Sequence, residues 1–95
     1  MPYNLLIEED AKPDIADAFN WYSRISTTLG NRFLSELKNA LDYITSYPEM
    51  FKIAYAPYRQ APLKKFPFVI LYKIDGNCIK IYRILPTKMD RKTQL

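Results

Sequence analysis

The apolar positions of this 95-residue chain follow two different periods. In the first half they recur at helical spacing. Ile15, Ala18, Phe19, Tyr22 and Ile25 fall at i, i+3, i+4 and i+7, the signature of one buried helical face. Pro13 suits a first helical turn, where its missing N–H costs nothing, and Asp14 and Asp17 complement the positive end of the macrodipole. The run from Ser26 to Asn31 breaks the pattern. A second stripe follows in Phe33, Leu34, Leu37, Ala40, Leu41 and Ile44, and Tyr47-Pro48 ends it, because a residue before proline is pushed out of the α region. Two helices with so short a break are expected to pack as an antiparallel hairpin.

Strand signals flank this pair. Tyr3 to Glu8 is a short apolar run that predicts a first strand. After Phe51 the period falls to two, over Lys52 to Tyr55 and again over Arg59 to Leu63, with Pro62 marking the latter as an edge strand. Lys64-Lys65 reads as a turn. Phe66 to Ile74 is the most apolar stretch and predicts a central strand. Asp75-Gly76-Asn77 is a tight hairpin turn in which glycine supplies a positive φ, and Cys78 to Leu85 returns as the last strand before Pro86, its alternation faltering near Arg83. No repeat or linker interrupts the pattern, so residues 1–95 are expected to form one domain. The predicted class is α+β: an N-terminal strand, then an antiparallel helical hairpin packed on an antiparallel β-sheet whose other face stays open to a partner.

Composition narrows the chemistry. The chain has no histidine and a single cysteine, Cys78. An intramolecular disulfide is therefore excluded, as are His-based triads and the usual zinc sites, and no cofactor or metal is expected. No signal peptide or bilayer-length apolar run is evident, which leads us to expect a cytoplasmic protein with no membrane association. Aromatic residues reach 15%, enough to enlarge a small core.

Charge is unevenly placed. Residues 1–49 carry four basic against eight acidic side chains, a net of −4, whereas residues 50–95 carry ten basic against two acidic, a net of +8. A basic half-chain suits an anionic partner, either nucleic acid or an acidic protein segment, although it can equally be a solubilising face. The candidate contacts are Arg59 beside Tyr58, the turn residues Lys64 and Lys65, Arg83 within an apolar strand, and the tail residues Lys88, Arg91 and Lys92. Lysine, arginine and tyrosine could stabilise a phosphorane and move protons while an RNA 2′-hydroxyl attacks, or could simply hold phosphates or carboxylates. For each there is a plainer alternative: Arg59 in a surface ion pair, the lysines merely solvated, and Tyr72, Tyr82 and Trp21 in packing.

Several segments, taken in order, resemble the RelE/ParE toxins. They are Asp14-Ile15-Ala16-Asp17-Ala18, Trp21-Tyr22, Leu29 to Leu34, Pro48-Glu49-Met50-Phe51, Arg59, Leu63 to Ile74 with its Phe66-Pro67-Phe68 core, and Ile79 to Leu85. The resemblance implies the toxin of a bacterial type II toxin–antitoxin pair, held in an oligomeric complex by a cognate antitoxin that wraps it with a helix or an added strand. RelE-like members cut mRNA in the ribosome with basic residues and often a late His or Tyr; for such a member Arg83, Lys88 and Arg91 would be catalytic. ParE-like members block DNA gyrase without chemistry. In either case Arg59, Lys64, Lys65 and Lys92 are expected to serve target or nucleic-acid binding. Many relatives continue the last strand as Arg-Val-Leu-His and then Arg-Arg-Asp. Here Pro86 takes the His position and Met89 one Arg position, and Phe68-Val69-Ile70 stands where RelE-like nucleases place a central-strand Arg. These departures favour gyrase, ahead of a ribosome-dependent mRNA endonuclease and of a member that has lost toxicity and survives as an interaction module.

Overall fold

A computed structural model describes residues 3–87. Strand β1 (Asn4–Ile7) leads into helices α1 (Ala11–Ile25) and α2 (Thr27–Ser46), followed by β2 (Ile53–Tyr55), β3 (Tyr58–Pro62), β4 (Phe68–Asp75) and β5 (Cys78–Pro86). The strands form one five-stranded sheet in the order β1-β5-β4-β3-β2, and the helices pack together on one face of it, α1 over β5 and α2 over β3.

The break between the helices is one residue rather than six. Ser26 is extended, at φ −163° and ψ 148°, and serves both helices: its N–H donates to the Tyr22 carbonyl, and its hydroxyl accepts from the Leu29 N–H at 3.0 Å. One capping serine thus ends α1 and starts α2 with few backbone groups left unpaired. Gly30 lets the hairpin close, since a Cβ there would collide with Ser23 Oγ and lie 3.1 Å from Ser23 Cα.

The sheet is mixed, which corrects the wholly antiparallel expectation. Strands β2 to β5 are antiparallel neighbours, but β1 pairs with β5 in parallel, Asn4 opposite Cys78 and Ile7 opposite Ile81. Tight turns dictate antiparallel pairing only between consecutive strands, whereas β1 reaches β5 through the whole helical hairpin. A second correction concerns Arg59 to Leu63. Strand β3 is interior, flanked by β4 and β2, but β2 reaches only as far as Arg59, so Pro62 lies where no neighbour needs its missing N–H.

The core lies between helices and sheet. Phe33, Leu37 and Ile44 of α2 and Ala11 and Ala18 of α1 bury against Ile70 and Tyr72 of β4 and Ile79, Ile81 and Ile84 of β5. Phe66 and Phe68 enter an aromatic cluster in which Phe66 meets Tyr22 and Phe33 edge-on, with centroids 4.9 and 5.5 Å apart. Ile25 and Leu34, read as parts of the buried stripes, are instead exposed, and Trp21, off the stripe, is 58% exposed with Arg24 over its ring.

The faltering alternation near Arg83 is a β-bulge. Leu71 pairs with Arg83 and Tyr72 with Ile81, leaving Tyr82 as an extra residue. Ile81 and Ile84 both reach the core because the bulge shifts the side-chain parity between them.

Candidate functional site on the helix-free sheet face

Register fixes what the helix-free face presents. Ile70 and Tyr72 face the helices, so Leu71 and Lys73 face away, along with Tyr58 and Gln60 of β3 and Lys80 of β5. The bulge adds Tyr82 to this face. Its ring stacks on Tyr58 at 4.9 Å and 29°, Tyr55 extends the row 5.3 Å from Tyr58, and Lys73 Nζ stands 5.9 Å from the Tyr58 centroid. Lys80 is paired with Asp75 at 2.9 Å; this contact holds the Asp75 carboxyl below its usual range and the Lys80 ammonium above its own. Together with Glu8, Glu9 and Asp10 from the β1–α1 junction, Tyr58, Tyr82, Lys73 and Lys80 enclose an open hollow of about 300 Å³. The result is a flat aromatic platform with charges of both signs at its rim.

The two arginines singled out within the strands are both engaged inside the molecule. Arg83 forms a bidentate pair with Asp14 of α1, Nε to Oδ2 at 2.7 Å and Nη2 to Oδ1 at 3.0 Å. The same Oδ2 accepts the Ile84 backbone N–H at 2.9 Å. These bonds hold the guanidinium still more firmly protonated than usual. Arg59 points to the helical side, where its Nη1 donates to the Phe51 carbonyl at 2.7 Å and the Glu49 carbonyl at 3.3 Å, pinning the α2–β2 passage to β3. Among the described residues its partners are these two carbonyls rather than a carboxylate.

Lys64 and Lys65 sit in the β3–β4 connection, exposed, with Lys65 at φ 72°. They lie at the far end of the sheet from the Tyr58–Tyr82 stack. Lys88, Arg91 and Lys92 fall outside the described residues. Tyr72 is fully buried and donates its hydroxyl to the Pro48 carbonyl at 2.6 Å; burial pushes its phenol up to about 12, against a smaller lowering by Arg59, so it is no proton carrier near neutral pH.

Tyr58, Lys73 and Lys80 went unnoticed as a site because nothing local marks them. Each is simply the outward position of a period-two strand, and only the register of three strands brings them into one row.

A family model described as the ParE toxin of the type II toxin–antitoxin system parDE matches residues 5–91. Among solved structures, a chain from the chromosomal ParDE toxin–antitoxin system of P. aeruginosa superposes with a TM-score of 0.79 at 16% identity, over 90% of this chain and 97% of that one. The isolated E. coli RelE toxin superposes with a TM-score of 0.61 at 16% identity, over 97% and 92% respectively. No relative among the curated proteins matches in sequence. The family match spans nearly the whole domain and agrees with a fold derived independently of it: this chain belongs to the ParE toxin family of type II toxin–antitoxin systems.

Proposed function

We propose that the chain arrests bacterial growth in the ParE-like way, by binding DNA gyrase without chemistry of its own, and that a cognate antitoxin neutralises it in the cytoplasm. The observation that carries this reading is the engagement of Arg59 and Arg83. Arg59 holds two carbonyls on the helical side, and Arg83, which starts from the helix-free face opposite Leu71, is held by Asp14 in a two-point pair, so both strand guanidinia are already engaged rather than free to stabilise a phosphorane. The remaining platform of Tyr55, Tyr58 and Tyr82 with Lys73 is suited to a protein surface, since tyrosine gives rigid contact area with a polar tip.

The experiment is pulse-labelling of new DNA and new protein minutes after the chain alone is induced in a bacterium, paired with a supercoiling assay on purified gyrase. Early loss of DNA synthesis and inhibited supercoiling are expected. Early loss of protein synthesis with cleaved transcripts bearing 2′,3′-cyclic phosphates would replace this reading with the mRNA endonuclease. Normal growth with soluble, folded protein would replace it with the non-toxic interaction module.

A further inference from the structure

The hollow on the helix-free face holds charges of both signs, and most of them are already matched. Lys80 is bonded to Asp75 at 2.9 Å, and Glu8 lies near enough to help keep the same ammonium charged. Glu9 pairs with Lys12 at 3.0 Å. Two charges remain, and among the described residues neither is in an ion pair. The first is Asp10, at the N-cap of α1, a position from which aspartate ordinarily accepts a helix N–H. Here the backbone of Asp10 is itself helical, at φ −71° and ψ −20°, and its exposed side chain makes no cap bond. The second is Lys73 on β4, whose Nζ stands 5.9 Å from the Tyr58 centroid. Across the sheet the order is Asp10 after β1, Tyr82 on β5, Lys73 on β4 and Tyr58 on β3. An unmatched anion and an unmatched cation thus flank the Tyr82 ring, which stacks on Tyr58 at 4.9 Å.

We infer that this hollow receives a pair of opposite charges from the gyrase surface: an Arg or Lys of the target meets Asp10 across the Tyr82 ring, and an Asp or Glu beside it meets Lys73. The inference rests on the gyrase reading and names the part of the platform that chooses the partner. A polyanion such as nucleic acid is repelled by Asp10 and its acidic neighbours at the rim, and a wholly basic segment is repelled by Lys73. A protein surface that carries both signs side by side satisfies both. The tyrosine ring suits the approaching cation in particular, because its face attracts positive charge and its area covers the apolar stem of an arginine or lysine. The rings then supply contact area, and the two charges fix orientation and exclude surfaces that lack the matching pair.

The test is inhibition of supercoiling by purified gyrase, using the full chain as wild type, Asp10→Lys, Lys73→Glu and the double variant, which keeps the wild-type net charge. Arg32→Glu, exposed on α2 in the opposite layer, is the control for a change of charge alone. Circular dichroism checks folding, and the neutral variants Asp10→Asn and Lys73→Gln replace any reversal that disturbs it. Each reversal is expected to raise the half-inhibitory concentration about tenfold or more, and each neutral variant about threefold, with Arg32→Glu within about twofold of wild type. The double variant is expected to stay as weak as the single reversals, because both of its charges face the wrong partner. A double variant restored to wild-type potency would overturn the inference, since overall charge alone would then be acting. Stronger inhibition by Asp10→Lys would overturn it by assigning the hollow to the phosphates of gyrase-bound DNA. Reversals no weaker than the control would overturn it while leaving the gyrase reading intact, and a wild-type chain that leaves supercoiling untouched would overturn both.

Discussion

Asp14 and Arg83, 69 residues apart in the chain, meet in a two-point ion pair at which one carboxylate oxygen also caps the Ile84 N–H. The Asp14 side chain is only 15% exposed and that of Arg83 37%. Asp14 therefore stands in for the strand that β1 fails to provide beyond Ile7, and it fastens the start of α1 to the bulged part of β5. Asp14→Ala should lower stability, because it leaves the Ile84 backbone donor unpaired and frees the Arg83 guanidinium from α1. Asp14→Asn should cost less, since its amide oxygen can still accept from Ile84. Equilibrium denaturation of the two variants checks the order.

The same pair separates the two target readings. If Arg83 is structural, Arg83→Lys should lower stability and leave inhibition of gyrase by the folded fraction within about twofold. A fully folded Arg83→Lys chain without activity would count against the binding reading, because one conservative change should not abolish a contact surface.

Tyr72 sets an alkaline limit. Its phenol titrates near 10 when unfolded and at about 12 in the folded protein. Since the folded value is the higher, its contribution to stability is complete below pH 10 and is lost as pH rises from 10 to 12. Tyr72→Phe should remove that part of the pH dependence. It should also cost about 1–3 kcal/mol at neutral pH, because the Pro48 carbonyl loses its buried donor. Urea denaturation at a series of pH values measures both effects.

Gly30 is required by proximity. An added methyl meets Ser23 Oγ, which must turn away, and lies 3.1 Å from Ser23 Cα, so the helices must give by a few tenths of an ångström. Gly30→Ala should destabilise by about 1–3 kcal/mol despite alanine's higher helix propensity. Thermal unfolding is the measurement; stabilisation would mean that the helices do not approach so closely.

The aromatic platform should respond gradually. Tyr58→Ala and Tyr82→Ala each remove half of the stacked pair, and Lys73→Ala removes the cation above it. Each single change should weaken gyrase inhibition several-fold, with Tyr58→Ala the largest, as expected of an interface with an aromatic anchor. Arg24→Ala, on the opposite layer, should leave inhibition unchanged.

Much of this architecture is legible in the chain because local physics specifies it. The apolar stripes give both helices, Pro48 ends the second, and Gly76, at φ 62°, makes the β4–β5 turn. What the chain does not reveal is non-local. Nothing in Asn4 to Ile7 says that its partner is the last strand or that the pairing is parallel. Asp14 reads as a macrodipole residue, and Arg83 as an exposed anomaly, until the fold brings them together. Arg59 reads as a surface cation although two carbonyls await it. Each of these side chains is polar for a reason that lies many residues away. The outward tyrosines and lysines are hidden for a related reason, since alternation distinguishes the two faces of a strand but not which neighbours share one.

The pairing of β1 with β5 also sets an order of events during synthesis. A ribosome delivers β1 about 70 residues before its neighbour β5, so Ile7 and Asp14 must wait for Ile81 and Arg83 to emerge. Until then the nascent chain is a helical hairpin with exposed apolar stripes and no complete sheet. The folded domain therefore comes into being only after β5 has emerged, which leaves an antitoxin already present in the cell the interval between the two strands in which to be at hand.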